Sequence, residues 1–275
     1  MITHEEFIKE NNLKESDYYQ ENGWLYILNL GNLDKIEICE LPSKIEFTKN
    51  CNCNITIKKI KKIPSDVIFN NGGFVEILYV EKILKNVVFN NNGDVHLGEY
   101  FDDCNTGKLK KIHPSVKFIN NGNVFLYSII DKIPSGVVFK NMENVYLYYV
   151  EEISENVTFE NGGNLYLGEL EKVHPSIKFI NGKDINFLVL VKKIPKGIIF
   201  NNKGDVYITR TIEYIPDVIF NNDGDVIFDY QKIIFSNGVK FNNKGTIKDI
   251  SIDIKIPSFF DKTKYLNKMF KQIYK

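Results

Sequence analysis

The sequence predicts an all-β fold, a parallel solenoid of about ten coils with small α-helical caps at both ends. Three observations predict it. A short phrase repeats along almost the whole chain. Within each copy, apolar residues recur at every second position, which is the period of a β-strand. The chain contains no alanine, the strongest helix former, while isoleucine, valine, phenylalanine and tyrosine dominate its apolar residues.

The repeat is anchored by a phenylalanine that recurs at a nearly constant interval, and only the interval from Phe89 to Phe118 is much longer. Around each anchor the phrase is close to I-P-x-x-V-x-F-x-N-x-G-[ND]-V-x-L-x-x-L. Because one coil alone cannot bury its apolar face, successive coils are expected to stack and share one core. The anchors are Phe47, Phe69, Phe89, Phe118, Phe139, Phe159, Phe179, Phe200, Phe220 and Phe241.

Each part of the phrase has its own local preference. V-x-F and V-x-L predict two short strands, each with two inward side chains. The Asn-x-Gly-Asn/Asp segment between them predicts a turn, because glycine tolerates positive φ. Ile-Pro predicts the next corner, where proline fixes φ and removes a backbone donor.

An asparagine two residues after the anchor is predicted to line the inside of the coil corner, because period 2 carries it inward after the phenylalanine. A buried amide needs hydrogen-bond partners. We therefore expect a ladder of amides that bond to neighbouring corner backbone or to one another. Its members are Asn71, Asn91, Asn120, Asn141, Asn161, Asn181, Asn202, Asn222 and Asn243.

The N-terminal end, residues 1–40, is predicted to be a cap. Thr3 and Glu6 form a capping box, with Ile2 and Phe7 as its hydrophobic staple. This pattern predicts a helix over roughly residues 4–11. A first strand is expected to follow over residues 24–30.

The repeat solenoid is predicted over residues 41–256, with an inserted loop near residues 99–106. A lysine-rich amphipathic helix is expected over residues 257–275. We interpret it as a cap on the last coil, because open solenoid ends aggregate. The alternative is a helix that lies on a membrane or docks a partner.

These repeats resemble leucine-rich-repeat-like short-repeat proteins of bacteria and their phages. The resemblance rests on the recurring Ile-Pro, Val-x-Phe and Gly-Asp-Val-x-Leu elements, and on the opening MITHEEFIKENNLKESDYYQENGWLYI. It implies a repeat stack of leucine-rich-repeat type and a role in phage–host interaction. The sequence lacks the L-x-x-L-x-L-x-x-N block of standard leucine-rich repeats, so a straighter, β-helix-like coil stays open as the alternative to a horseshoe.

Composition excludes several classes of function. The 35 basic and 35 acidic side chains balance, and Arg210 is the single arginine, so we expect no nucleic-acid partner. No stretch has the length of a signal peptide or a membrane helix, which predicts a cytoplasmic protein that binds no membrane. Cys51 and Cys53 lack further ligands at zinc spacing, so we expect ordinary thiols, no metal and no cofactor.

A row of outward aromatic residues is the first candidate site. The middle residue of V-x-L points outward, and in several coils it is aromatic. Such a row is either a binding surface or a ladder that only stabilises the sheet. The candidate residues, with the tyrosines just past the same strands, are Phe125, Tyr127, Tyr146, Tyr148, Tyr149, Tyr166 and Tyr207.

The insertion near residues 99–106 is the second candidate site. Loops held on rigid scaffolds often carry binding residues, although a tolerated bulge with no function is the alternative. This segment offers both apolar and charged side chains. The candidate residues are Glu99, Tyr100, Phe101, Asp102 and Asp103.

Two pairs of residues are weak candidates for catalysis. Asp205 and Asp225 hold equivalent positions on adjacent coils, which approaches the carboxylate spacing of a retaining glycosidase. Both follow turn glycines, however, where aspartate commonly bonds to local backbone. His113 and His174 share the phrase H-P-S but lie too many coils apart to act together, and His96 has no visible partner.

The sequence therefore predicts a non-catalytic recognition scaffold that binds another protein through the tyrosine row, the 99–106 loop, or both. Capture of a small molecule or carbohydrate in a surface groove is the alternative function. A glycan-cleaving β-helix enzyme is a third. A homodimer is possible because flat solenoid faces pair readily.

Overall fold

The computed structural model describes residues 2–30, 35–58, 60–98, 109–127, 130–168, 170–187, 194, 196–208, 214–228 and 233–249. In these residues the chain forms a parallel β-solenoid of about nine turns, with one short helix at its N-terminal end. Each full turn contributes one strand to each of two long sheets, here called sheet A and sheet B, and many turns add a short strand to a third wall. The repeats contain no helix within the described ranges, so the coil is of the β-helix-like kind.

Sheet A carries the V-x-F strands and has 12 strands. In spatial order they are Tyr18–Glu21, Trp24–Ile27, Ile45–Phe47, Val67–Phe69, Val88–Phe89, Lys117–Phe118, Val138–Phe139, Thr158–Phe159, Lys178–Phe179, Ile199–Phe200, Ile219–Phe220 and Lys240–Phe241.

Sheet B carries the V-x-L strands and has 11 strands. In spatial order they are Lys35–Ile38, Asn54–Ile57, Val75–Ile77, Val95–Leu97, Val124–Leu126, Val145–Leu147, Leu165–Leu167, Ile185–Phe187, Val206–Ile208, Val226–Phe228 and Ile247–Asp249.

The third wall consists of three small parallel sheets. They contain Lys62–Ile63, Lys82–Ile83 and Lys111–Ile112; Ile130–Ile133, Val150–Ile153 and Lys172–Val173; and Tyr214–Ile215 and Ile234–Phe235.

The ten anchor phenylalanines form one continuous column inside the solenoid, which confirms the predicted register. Each anchor pairs with the next across sheet A, as Phe139 does with Phe159 and Phe159 with Phe179. Neighbouring ring centroids lie 4.9 to 5.6 Å apart, and the rings are close to parallel. Nine of the ten side chains are fully buried, and Phe241 is 7% exposed.

The nine predicted asparagines form a second buried column at the corner between sheets A and B. Their amide nitrogens donate to corner carbonyls of the same coil and, in most coils, also of the preceding one. Asn91 is typical, with Nδ2 at 2.8 Å from the Gly93 oxygen and 3.0 Å from the Gly73 oxygen. The amides thus bond to corner backbone, as predicted. The Oδ1 atoms of the first eight have no hydrogen-bond partner in the described part of the chain.

The N-terminal end is closed by the helix His4–Glu10. The predicted capping box is present, since Thr3 and Glu6 each accept from the other's backbone N–H. Phe7 is buried and meets Phe47 edge to face at 6.4 Å, so it covers the first ring of the phenylalanine column.

Sequence reasoning missed a hairpin that follows this helix. Tyr18–Glu21 pairs antiparallel with Trp24–Ile27, and the antiparallel strand stands at the edge of sheet A. Asn22 and Gly23 at the turn both have positive φ, at 52° and 75°. Asn-Gly is the standard signature of such a two-residue turn and could have identified it.

Cys51 and Cys53 form a disulfide, so the expectation of ordinary thiols is wrong for this pair. Cys51 occupies the first position of the asparagine column, because its carbonyl accepts from Gly72 just as Asn71 accepts from Asn92. In later coils the asparagine amide bonds to the carbonyl two residues ahead. In the first coil the disulfide between Cys51 and Cys53, which are also two residues apart, takes the place of this hydrogen bond.

Two predicted features lie outside the described residues: the inserted loop at residues 99–106 and the C-terminal helix at residues 257–275. The boundaries proposed for these segments stay predictions.

Candidate interaction face

The predicted aromatic row exists on the outer face of sheet B. His96, Phe125, Tyr146 and Tyr166 occupy equivalent positions on four successive strands. Their ring centroids are 4.6, 4.5 and 4.7 Å apart, and every pair is stacked face to face. We call these four residues the outer aromatic ladder. It begins with His96, so the sequence-based view that His96 has no partner is wrong.

The other predicted residues of the row lie around this ladder. Tyr127 stacks on Phe125 at 5.4 Å, and Tyr148 lies 5.6 Å from Tyr146. Tyr149 is 41% exposed and meets Tyr148 edge to face. Tyr207 is separated from Tyr166 by Asn186 on the intervening strand. The structure therefore gathers six of these seven residues into one patch and places Tyr207 two strands away.

The ladder is neither fully exposed nor part of the core. All four of its side chains are half-buried. Phe125 and Tyr146 have another ring against each face, so their edges and the tyrosine hydroxyl are what a partner meets. The residues Glu99 to Asp103 of the second candidate site lie outside the described ranges.

A column of aspartate and asparagine side chains directly precedes seven successive strands of sheet B, and its first four members lie two residues before the ladder residues. In each coil the Oδ1 atom accepts the backbone N–H of the equivalent residue in the next coil, at 2.6 to 3.1 Å. We call this the acidic column because four of its seven members are aspartates. Its members are Asp94, Asn123, Asn144, Asn164, Asp184, Asp205 and Asp225.

The acidic column and the aromatic row share hydrogen bonds and charge. Asn164 donates to the Tyr166 hydroxyl at 3.1 Å, and the Tyr207 hydroxyl donates to Asp205 at 3.2 Å. Burial, and next the carboxylates of Asp205 and Asp184, raise the pKa of Tyr207 to about 12. Burial beside Tyr166 likewise raises the pKa of Tyr146. Both hydroxyls therefore stay protonated at neutral pH.

At the N-terminal end of the acidic column, His96 and Asp94 form a pair with 3.8 Å between Nε2 and Oδ2. This histidine, together with hydrogen bonds from Asn123, lowers the pKa of Asp94 despite its partial burial. Asp94 is therefore a carboxylate across the physiological pH range.

The carboxylate pair Asp205 and Asp225 is engaged in structural bonds. Oδ1 of Asp205 accepts from the Asp225 backbone at 2.6 Å, and Oδ1 of Asp225 accepts from the Thr246 backbone at 2.6 Å. Oδ2 of Asp225 is paired with Lys248 at 2.5 Å. The bonds that sequence reasoning assigned to local backbone run instead to the next coil.

The two H-P-S phrases have the same structural role in both places. Ser115 Oγ accepts the backbone N–H of Asn86, and Ser176 Oγ accepts that of Asn156. Both asparagines have positive φ. Nδ1 of the histidine lies 2.9 Å from the serine hydroxyl in each phrase and orients it.

Among the residues that the structure describes, no group of three or more histidine, cysteine or acidic side chains is arranged to hold a metal ion. Within the same ranges, no helix has the length and apolar character needed to cross a membrane. The fold and this face together define a β-solenoid repeat protein. Comparison with protein-family profiles, curated proteins and solved structures finds no match.

Proposed function

We propose that this protein is a non-catalytic recognition scaffold that binds another protein through the outer face of sheet B. The observation that carries the proposal is the outer aromatic ladder with the acidic column beside it. Tyrosine offers a rigid, amphipathic contact surface at low entropic cost, and aromatic residues are enriched in protein interfaces. The two tyrosine hydroxyls of the ladder add polar groups at its rim.

The stacking geometry favours a protein over a carbohydrate. A sugar packs its apolar side against the flat face of an aromatic ring. In the centre of the ladder those faces are already occupied, because Phe125 lies between His96 and Tyr146. The exposed ring edges and hydroxyls suit the mixed apolar and polar side chains of a protein surface.

The acidic column indicates the chemistry of the partner. Asp184, Asp205 and Asp225 directly precede three successive strands of sheet B. Asp184 and Asp205 use Oδ1 for the backbone bond to the next coil, which leaves Oδ2 to other donors, as Asp205 shows by accepting from the Tyr207 hydroxyl. A partner that places lysine or arginine side chains over Asp184 and Asp205 would form charge-assisted hydrogen bonds, whereas Oδ2 of Asp225 is already paired with Lys248.

The non-catalytic part of the proposal is supported by the bonds of Asp205 and Asp225, which are held by backbone and lysine.

The resemblance to leucine-rich-repeat-like proteins of bacteria and phages supports a role in phage–host interaction. Two such roles are inhibition of a host defence protein and contact with the cell surface. The proposed location is the cytoplasm of a bacterium or infected host cell. Because disulfides are rare there, alkylation of Cys51 and Cys53 in intact cells tests the location.

The test is capture of host proteins on immobilised wild-type chain and on the double variant Tyr146→Ser/Tyr166→Ser. The variant is expected to lose at least about tenfold of the captured partner, as for truncated interface hot spots. A matched control, Val138→Ser/Ile199→Ser, removes outward apolar groups from sheet A and should retain the partner. A chain lacking residues 99–106 reports the contribution of that loop.

Retention of the partner by the tyrosine double variant, with its fold intact by circular dichroism, would remove the outer aromatic ladder from the proposal. Turnover of a polysaccharide that disappears in Asp205→Asn would instead establish the enzyme alternative.

A further inference from the structure

A groove of roughly 450 Å³ opens on the third wall, where the strands Ile130–Ile133, Val150–Ile153 and Lys172–Val173 end. Its volume falls in the range of small-molecule sites. It lies on a different wall from the outer aromatic ladder. Its lining therefore takes no part in the proposed protein-binding face.

The groove has a simple cause in the sequence. Pro134, Ser154 and His174 occupy equivalent positions on three successive coils, because the Ser154 backbone bonds to Ile133 and the His174 backbone bonds to Ile153. Serine is smaller than either neighbour. The coil that carries it departs from the Ile-Pro phrase and leaves a depression between the two larger side chains.

Ser154 supplies a polar group beneath this depression. Its side chain lines the groove, and the residue is only 7% exposed. The hydroxyl oxygen has no hydrogen-bond partner among the described residues. A buried hydroxyl without a partner is unfavourable, so an acceptor brought by a ligand would stabilise it.

His174 and Lys172 add two more donors to the lining. Nδ1 of His174 accepts the Ser176 backbone N–H at 3.2 Å, so in the neutral ring the proton lies on Nε2. Lys172 is exposed at the rim. The neighbouring Lys132 is instead paired with Glu152 at 2.6 Å.

We propose that this groove binds a small organic monocarboxylate. The hydroxyl of Ser154, Nε2–H of His174 and the ammonium group of Lys172 recognise the carboxylate, because all three are donors. Pro134 and Pro175, which both keep exposed surface, receive the apolar body. The carboxylates of Glu152 and Glu155 in the same lining disfavour a dianion such as phosphate.

The test is titration of the full chain with sodium butyrate, followed by backbone amide chemical shifts. We expect saturable shifts at Ser154 and His174, with an affinity of about 1–10 mM for so few heavy atoms. Butyramide and inorganic phosphate are the comparison ligands and should give no saturable shifts at these amides. Binding of phosphate without binding of butyrate would overturn the proposal.

Two single variants and one matched control locate the site. Ser154→Ala removes the hydroxyl and should weaken butyrate binding about fivefold, the value of one hydrogen bond. His174→Ala should weaken it by a similar factor. His113→Ala removes the histidine of the other H-P-S phrase, which does not line the groove, and should leave binding unchanged. Equal affinities for wild type, Ser154→Ala and His174→Ala would contradict the assignment.

Discussion

Two stacks of aromatic rings run along this solenoid, one inside sheet A and one outside sheet B. The inner stack holds ten phenylalanines at spacings of 4.9 to 5.6 Å. The outer aromatic ladder holds one histidine, one phenylalanine and two tyrosines at 4.5 to 4.7 Å. The same strand spacing imposes nearly the same ring spacing on both, although one is buried and the other half-exposed.

The difference lies in what surrounds the rings. The inner column is enclosed on every side, and each of the ten repeat coils provides phenylalanine, while the strand before them has the buried Ile27 at this position. The outer ladder has one open side. Its positions accept asparagine and isoleucine in other coils, as at Asn186 and Ile227. Aromatic residues concentrated at Phe125 to Tyr166 are therefore not required by the fold, which supports a role in binding.

Truncating one ring in each stack gives the largest expected contrast. Phe159→Ala should lower the free energy of unfolding by about 3–5 kcal/mol, because it leaves a cavity in a fully enclosed column. Tyr146→Ala should cost about 1 kcal/mol, the value of cross-strand contacts on an open sheet face. Urea unfolding measures both. Equal losses would show that the outer ladder is part of the structural core.

The adjacent residues Asn221 and Asn222 repeat this contrast with amides. Asn222 is buried and donates to Gly224 at 3.0 Å, whereas Asn221 is exposed and donates to Asn201 at 3.1 Å. Asn222→Ala should cost about 1–3 kcal/mol because it leaves buried carbonyls unpaired. Asn221→Ala should cost less than about 0.5 kcal/mol. Thermal unfolding of the two variants decides whether burial makes the difference.

Removing the disulfide tests whether Cys51 holds the first position of the buried asparagine column. Reduction of Cys51–Cys53 should lower stability by about 1–2 kcal/mol, because the bond closes a very short loop. Cys51→Asn/Cys53→Gly introduces the residues of the later coils and should make stability independent of dithiothreitol. If this variant is less stable than Cys51→Ser/Cys53→Ser, Cys51 does not hold the position of a column asparagine.

The smallest expected effect is on the alkaline titration of Tyr207, on the outer face of sheet B. Its pKa is raised to about 12 in the folded chain, against about 10 in the unfolded one. A raised pKa contributes stability that is complete below about pH 10 and is lost as pH rises toward about 12. Absorbance at alkaline pH should show a late-titrating tyrosine that is absent in Tyr207→Phe. If the titration is unchanged in Tyr207→Phe, Tyr207 is not the late-titrating tyrosine, and the carboxylates of the acidic column do not raise its pKa.

The sequence was most informative where one side chain meets its own equivalent in the next coil. The phenylalanine register, the asparagine column and the stacking of Phe125 on Tyr146 all follow from a nearly constant repeat length, because parallel strands place equivalent positions side by side. The capping box at Thr3 was also visible, since it depends on local spacing alone.

Features that depend on a break in the repeat were harder to predict. The interval from Phe47 to Phe69 is longer than the interval that follows it. Because the column asparagines lie two residues after their anchor phenylalanine, counting two residues from Phe47 does not lead to Cys51. Only the backbone hydrogen bond from Gly72 to Cys51 shows that Cys51 holds the first position of the column. The sequence predicts that the aspartates of the acidic column bond to backbone of their own turn. A bond to the next coil involves the same residue types at the same positions, so the sequence alone does not distinguish the two. The groove at Ser154 depends on the size of Ser154 relative to Pro134 and His174, its equivalents in the two neighbouring coils.

If successive coils stack in parallel register, the strand spacing fixes the distance between equivalent residues of distant coils. Lys117 and Lys240 lie at equivalent outward positions of sheet A, six strand spacings apart. Spin labels on cysteines introduced there, with the four native cysteines replaced, should give a narrow distance distribution centred at about 29 Å, since each strand adds about 4.8 Å. A broad distribution, or one centred beyond about 40 Å, is incompatible with that spacing and would contradict the stacked solenoid.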